Sequence, residues 1–232
     1  MVFRKIMFRE KRSFKNSRGL NLSAIFEGEG REAPVVIMCH GFHSSKDNPI
    51  TTRALTQKLV ERELSVFRFD FTGHGESQGD INEITPLAGL DDLKSAIKTL
   101  NERKIAPYGS SFGGYVALLY ASNHPVLALV LKAPVSNWSK VQISSDRGSK
   151  FREEVKDINI YQQAKNIEAP TLIIHGDKDD VVPIEQSQKL IKALGSKIKT
   201  LEIIRGANHD IRGQNLEKTN TKIADFFQKI LT

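Results

Sequence analysis

Cysteine is almost absent from this sequence: the 232 residues include one, Cys39. A single cysteine excludes an internal disulfide, and such sparse use is typical of proteins in a reducing cytosol. Cys39 ends an apolar run over residues 35–38, so we expect a buried, unreactive thiol. The cysteine content therefore predicts a cytoplasmic protein with no disulfide framework.

Long apolar runs are also lacking. No stretch approaches the roughly 20 residues of a membrane-spanning helix, and the N-terminal residues include no apolar segment of signal-peptide length. We therefore expect neither secretion nor membrane insertion. With 39% hydrophobic and 26% charged residues, the composition predicts a single soluble domain over residues 1–232.

Recognised nucleic-acid and metal-binding motifs are missing as well. The formal charge is +7, and seven Lys and Arg residues stand among the first 18 residues against one Glu. These residues alternate with apolar ones, as on the solvent face of an edge strand, so no nucleic-acid partner is predicted. His40 and His74 have no second ligand at a metal-binding spacing. We expect both to be hydrogen-bonding loop residues, and we predict neither a metal nor a cofactor.

Short apolar runs alternate with amphipathic stretches, which predicts an α/β fold with a mostly parallel eight-stranded sheet flanked by helices. Two antiparallel strands are expected to open the sheet. The predicted strands lie near residues 2–14, 20–27, 34–40, 65–70, 104–109, 127–132, 171–175 and 198–204. The predicted helices lie near 50–63, 87–102, 112–123, 184–194 and 216–230. Pro107 is unexpected inside a central strand, because it removes a backbone donor.

This alternation breaks over residues 135–169, where charged and apolar residues are mixed between two core strands. We predict a short cap insertion over the strand ends, where ligands bind in open α/β sheets. A surface loop with one or two plain helices remains the alternative. Trp138, just after a strand end, is a candidate pocket residue in either case.

One Gly-x-Ser-x-Gly motif occurs, Gly-Ser-Ser-Phe-Gly at 109–113, between a β-like run and a helix-like run. That context is typical of a nucleophile elbow, a strand-to-helix turn so tight that its flanking positions must lack a Cβ. The motif predicts Ser111 as a nucleophile at a helix N-terminus, where free N–H groups favour an oxyanion. A helix N-cap serine without chemistry is the simpler alternative.

A nucleophilic serine needs a base and an acid, which follow the elbow in the order acid, then histidine. His175 ends an apolar run with the candidate acids after it, so His209 is predicted as the base. A solvent-exposed loop histidine is the other reading of His209. The residues alone leave three candidate acids in one loop, Asp177, Asp179 and Asp180.

The segment His-Gly-x-x-Asp-x-x-Val-Pro at 175–183 resembles the acid loop of the α/β-hydrolase superfamily, which implies Asp179 as the acid. The resemblance extends to His-Gly-Phe at 40–42, similar to the family's oxyanion loop, and to the loop over 70–77. It implies an oxyanion hole made by the backbone N–H groups of Phe42 and Phe112. Within the superfamily the chain looks closest to the branch of monoacylglycerol lipases and cinnamoyl or feruloyl esterases.

This resemblance implies a serine esterase acting on a small-molecule carboxylic ester with a short or aromatic acyl group, without a cofactor. His43 and Trp138 are candidate pocket residues, although a surface role for His43 is equally consistent with the sequence. Two alternatives remain: an aminopeptidase-like hydrolase of the same branch, and a catalytically silent ligand-binding module. The sequence does not predict an oligomeric state.

Overall fold

The computed structural model describes residues 8–28, 34–101, 103–141 and 143–232. Its strands form one sheet in the order β1-β2-β4-β3-β5-β6-β7-β8. The strands are β1 Phe8–Lys15, β2 Asn21–Gly28, β3 Val35–Cys39, β4 Ser65–Phe69, β5 Ile105–Ser110, β6 Leu129–Lys132, β7 Thr171–Gly176 and β8 Lys199–Ile204. The pairs β1–β2 and β2–β4 are antiparallel, and all other pairs are parallel. The predicted α/β-hydrolase fold class is confirmed.

Helices cover both faces of the sheet. They are α1 Ala54–Val60, α2 Pro86–Lys98, α3 Phe112–Ala121, α4 Ser145–Glu154, α5 Ile160–Gln163, α6 Glu185–Ala193 and α7 Gln214–Leu231. One π-helical turn, Pro49–Arg53, precedes α1, and 3-10 turns lie at Trp138–Lys140 and Ala164–Asn166. Within the described ranges, no helix is long and apolar enough to cross a membrane.

Alternate residues of the central strands pack into two hydrophobic cores, one on each face of the sheet. Val35 and Ile37 of β3 pack with α2 and α3, whereas Val36 and Met38 pack with α1 and α7 on the other face. This period of two is what a strand buried on both faces requires. Ile223 and Phe227 of α7 are fully buried in the second core.

Several predicted boundaries are wrong by a few residues, for local reasons. The helix expected over 50–63 ends at Val60, because Glu63 adopts a φ of 62° and the Leu64 N–H donates to the Leu59 carbonyl. The helix expected over 87–102 ends at Lys98. Residues 2–7 of the predicted first strand lie outside the described residues, as does residue 102.

Pro107 lies inside β5, where it pairs with Ile37 of β3. The registered pairing with β6 begins only at Tyr108, opposite Val130. The Ile105 carbonyl accepts a hydrogen bond from Leu127, on the β6 side, and residue 107 has the same orientation two positions later. The missing N–H therefore points toward β6 just before that ladder starts, which is why a central strand tolerates this proline.

Candidate active site

Ser111 occupies a strained turn between β5 and α3, with φ 53° and ψ −114°. Glycine is required on both sides of it. A Cβ at Gly109 would lie 2.4 Å from the Gly113 carbonyl oxygen, and a Cβ at Gly113 would lie 2.2 Å from the Cys39 carbonyl oxygen. The turn therefore presses helix α3 against the ends of β3 and β5. It leaves the Ser111 side chain partly exposed at the first turn of α3.

The structure brings Ser111, His209 and Asp179 into one hydrogen-bonded chain. His209 Nε2 lies 2.9 Å from Ser111 Oγ, and His209 Nδ1 lies 2.7 Å from Asp179 Oδ2. Because a carboxylate only accepts, Nδ1 carries the proton, and Nε2 is free to accept the serine proton. This tautomer is the one that general-base catalysis by histidine requires.

Asp179 is held by four donors. Its Oδ1 accepts from the backbone N–H groups of Val181 and Val182, at 2.9 and 2.8 Å. Its Oδ2 lies 3.0 Å from His175 Nε2, in addition to its bond with His209. Burial by itself would raise the pKa of Asp179, but the hydrogen bonds from His175 and His209 hold it well below its ordinary value. The carboxyl group therefore stays ionised at neutral pH.

The other two candidate acids point elsewhere. Asp177 Oδ1 accepts a 2.6 Å hydrogen bond from the Gly206 N–H, which ties the acid loop to the turn after β8. Asp180 is exposed. Of the three carboxylates, only Asp179 is hydrogen-bonded to His209.

The loop after β3 carries Phe42 beside Ser111. Its anchor is Lys46, whose N–H donates to Asp70 Oδ1 at 2.6 Å and whose Nζ lies 2.8 Å from Asp70 Oδ2 and 2.7 Å from Glu76. Although burial alone would lower the pKa of Lys46, these carboxylates raise it, so the ammonium stays charged. Gly75 lies against the same group, since a Cβ there would meet Asp70 Oδ2 at 2.2 Å.

Two neutral histidines also hold the loop after β3 in place. His40 Nε2 accepts from the Phe71 N–H at 3.1 Å, and His74 Nε2 accepts from the His43 N–H at 3.3 Å. Both rings face a backbone carbonyl with Nδ1. Burial and the neighbouring His74 lower the pKa of His40 to about 4, and burial also lowers the pKa of His74. Protonation of Nε2 would break each bond to the loop.

We therefore expect acid to destabilise the fold through these two histidines. Between pH 6.5 and 4 the unfolded chain protonates residue 40 while the folded protein does not, so the free energy of unfolding falls as the pH falls through this window. The slope from one such group is at most about 1.4 kcal/mol per pH unit. Urea unfolding at pH 7, 6, 5 and 4.5 measures it. His40→Gln, which keeps an acceptor for Phe71, should flatten the slope; an unchanged slope would contradict this origin.

A cavity of about 310 Å³ adjoins Ser111 and His209. We call it the aromatic cavity; its walls include Phe42, Phe112, Trp138, Arg147, Phe151 and Val181. The Phe151 ring packs edge-on against Trp138, with ring centroids 5.0 Å apart. Trp138 and Phe151 belong to the 135–169 segment, so this segment supplies one wall of the cavity. His43 is exposed and lies at its mouth.

A second cavity of about 280 Å³ lies on the other side of Ser111. We call it the polar cavity; its walls include His43, Tyr108, Ser110, Lys132 and Asp210. Lys132 is buried and donates a 2.7 Å hydrogen bond to the Asp210 carbonyl, next to His209. Burial lowers the pKa of Lys132 to about 8. Two larger surface depressions, of about 630 and 530 Å³, contain neither Ser111 nor His209.

The sequence profile of the prolyl oligopeptidase family matches residues 86–232, more than half of the chain, and this range includes Ser111, Asp179 and His209. The chain belongs to the prolyl oligopeptidase family. Its sheet order and helices are those of the α/β-hydrolases, as the resemblance noted in the sequence implies.

Two relatives of this prolyl oligopeptidase family member are both longer than the chain itself. An uncharacterized protein of Mycobacterium tuberculosis is 27% identical over 185 residues, which cover 78% of this chain and 64% of the relative. An uncharacterized peptidase of Bacillus subtilis is 27% identical over 169 residues, covering 63% of this chain and 25% of the relative. The chain thus spans less than two thirds of these relatives.

Among solved structures, Est1E from Butyrivibrio proteoclasticus, determined with ferulic acid bound, aligns with a TM-score of 0.82. The identity is 22%, and the alignment covers 94% of this chain and 98% of that one. At 22% identity this similarity shows that the two proteins share the α/β-hydrolase fold.

Sequence reasoning missed several residues around the site of this family member. His175 was set aside as a base, yet it donates to Asp179 while its Nδ1 lies 2.7 Å from Ser187 Oγ. Lys132 could have been noticed in the sequence, because it is a charged residue at the end of a buried apolar run. Arg147 and Phe151 carried no such signal, because their contact with the site depends on how the 135–169 segment folds over the sheet.

Proposed function

We propose that the protein is a serine hydrolase that cleaves small carboxylic esters through an acyl-enzyme on Ser111. The observation that carries this proposal is the chain from Ser111 Oγ through His209 to Asp179, open to the aromatic cavity. A hydrogen-bonded base with an oriented acid is the arrangement that activates a serine.

Each step of the reaction has a group in place. Ser111 Oγ bonds to the ester carbonyl carbon as His209 Nε2 takes the hydroxyl proton. The N–H groups of Phe42 and Phe112 would hold the resulting oxyanion, since Phe112 begins α3 and its N–H has no partner within the helix. The bond to the alcohol oxygen breaks as His209 returns the proton to it. Water then adds to the acyl group through the same base and releases the acid and Ser111.

The aromatic cavity favours a compact acyl group. If each non-hydrogen atom takes roughly 30 Å³, the volume of a water molecule in the liquid, the cavity of about 310 Å³ holds about ten atoms. A substituted benzoyl or cinnamoyl group is of this size. The ferulic acid bound by Est1E is consistent with such a substrate, although that finding concerns the neighbouring protein.

Peptide hydrolysis is the second candidate, favoured by the family match and by the Bacillus peptidase relative. An aminopeptidase must bind a charged amine, for which carboxylates are the usual partners. Within the described part of the chain, no Asp or Glu lines the aromatic cavity, and Asp210, which lines the polar cavity, pairs with Arg212. Glu153 pairs with Lys156, and Glu154 accepts from Thr85 and Leu87, outside the cavity. The electrostatics therefore favour esters.

Labelling with a fluorophosphonate tests the reaction class, because only an activated serine reacts with it. We expect rapid labelling of the native protein and none after unfolding. Side-by-side hydrolysis of p-nitrophenyl esters, hydroxycinnamate methyl esters and aminoacyl anilides then separates the two hydrolases. Absence of labelling would indicate a ligand-binding module, and preferential cleavage of anilides would indicate a peptidase.

Acyl chain length should affect the rate sharply. We expect the highest kcat/KM for short-acyl or small aromatic esters and a fall beyond about eight acyl carbons, because each buried methylene contributes only about 0.8 kcal/mol and only while the cavity has room. A series of p-nitrophenyl esters from C2 to C16 measures this profile. A preference for C12 to C16 esters, or a jump in rate above the substrate's solubility limit, would contradict it.

A further inference from the structure

Arg147 is the one permanently charged side chain that lines the aromatic cavity, within the described residues. It lies on α4, in the segment that folds over the sheet. The other ionisable groups of this cavity are His43, at the mouth, and His209, which belongs to the hydrogen-bonded chain. The Arg147 side chain is half-buried, so its alkyl part packs in the cavity wall while its hydrogen bond to Asn82 is on the exposed side.

Two neutral groups hold the guanidinium in place. Its Nη2 donates a 2.8 Å hydrogen bond to Asn82 Oδ1, and its Cζ lies over the Phe42 ring, 4.6 Å from the ring centroid. Stacking of this kind orients the planar fork without neutralising its charge. Since Phe42 and Arg147 both line the cavity beside Ser111, the guanidinium lies next to the space where an acyl group would lie.

Among the described residues, the guanidinium contacts Asn82 and Phe42, and no carboxylate pairs with it. Lys156, just after the same helix, does pair with a carboxylate, that of Glu153. A guanidinium presents five donors, of which the Asn82 bond uses one. The remaining donors have no partner in the described part of the chain.

We propose that Arg147 selects substrates whose acyl group carries a carboxylate remote from the scissile ester. This inference rests on the proposed esterase function and narrows its substrate class. A planar carboxylate is the group that a stacked guanidinium binds best, because two parallel N–H donors match its two oxygens. The net charge of +7 would also attract an anionic ester to the protein.

The test compares two p-nitrophenyl esters of equal length, the monoester of adipic acid and the corresponding ester of adipamic acid, in which an amide replaces the carboxylate. We expect the wild-type protein to favour the anionic ester by tenfold or more in kcat/KM, mostly through KM. The preference should shrink as salt is raised from 50 to 500 mM, because ions screen the attraction.

Variants of Arg147 test whether this residue causes the preference for the anionic ester. Arg147→Met should remove most of it, and Arg147→Lys should keep a part, since the charge remains but the bidentate fork is lost. Arg152→Met is the matched control: it removes a cation from the same helix that does not line the cavity, and the ratio of the two rates should stay at the wild-type value. Using the ratio makes the result independent of any general loss of activity.

The outcomes are distinct. If Arg147 only tethers α4 to Asn82, Arg147→Met lowers both rates equally and the ratio is unchanged, which overturns the inference. Equal wild-type rates on the two esters also overturn it, while the proposed esterase function stands. If neither ester is cleaved and the fluorophosphonate does not label the protein, the proposed function and the inference fall together.

Discussion

Replacing Ser111 by alanine is expected to lower kcat by about 10⁴- to 10⁶-fold while leaving the protein folded. In the proposed reaction the hydroxyl supplies the atom that attacks the ester, and His209 Nε2 is hydrogen-bonded to this hydroxyl. The side chain is partly exposed and makes no capping bond to α3, so its removal opens no core cavity. Steady-state hydrolysis of a short p-nitrophenyl ester measures the loss, and circular dichroism with urea unfolding checks the fold.

The adjacent Ser110 is the control for this assignment, because it carries the same hydroxyl group one position away. Mass spectrometry of the wild-type protein after fluorophosphonate labelling should find the adduct on Ser111, and Ser110→Ala should still be labelled. Retention of more than a tenth of the wild-type activity by Ser111→Ala, or an adduct on Ser110, would show that the nucleophile had been assigned to the wrong serine.

Replacing Asp179 by asparagine should lower kcat by about 10³- to 10⁴-fold. Its Oδ1 accepts from the N–H groups of Val181 and Val182, so an asparagine oxygen must stay there and the amide NH₂ must face His209. The NH₂ group donates to Nδ1 and forces the histidine proton onto Nε2. That tautomer cannot accept the proton of Ser111, so the base is lost although its position is kept.

The neighbouring acids provide matched controls for this change. Asp177→Asn keeps an oxygen for the Gly206 N–H, and Asp180→Asn alters an exposed carboxylate. Both should keep their rates within about threefold of wild type, since surface changes away from such contacts have small effects. A larger loss at either position than at Asp179 would move the acid to that residue.

The fold class could be predicted from the sequence because a parallel sheet leaves a local signal. Each buried strand is a short apolar run, and the five helices outside residues 135–169 follow apolar or amphipathic stretches, so the order of these elements is visible without tertiary contacts. Helices α4 and α5, inside that segment, were not predicted individually. Helix ends were less predictable. The end of α1 depends on the left-handed conformation of Glu63, which no residue type in that stretch requires.

The elbow could also be predicted, because its sequence is dictated by close backbone approach. Glycine is the only residue type that fits at 109 and 113, between β5, α3 and the Cys39 carbonyl. The two glycines in the sequence therefore predict the tight turn. The acid was less certain from residues alone: three aspartates share one loop, and resemblance to a family was needed to prefer Asp179. Which of them contacts His209 depends on backbone turns that no single residue specifies.

The sequence by itself determined the order of the strands, the order of the five helices outside residues 135–169, and the tight turn at Ser111. Those features depend on interactions between residues close in the chain, or on steric limits that only glycine satisfies. The tertiary structure alone decided the rest: the contact of Asp179 with His209, the burial of Lys132 beside the histidine loop, and the position of Arg147 over Phe42. These contacts join residues from 30 to more than 100 positions apart. A charged residue in the sequence is compatible with a solvent-exposed helix face and with a cavity wall, and only the folded chain decides between the two.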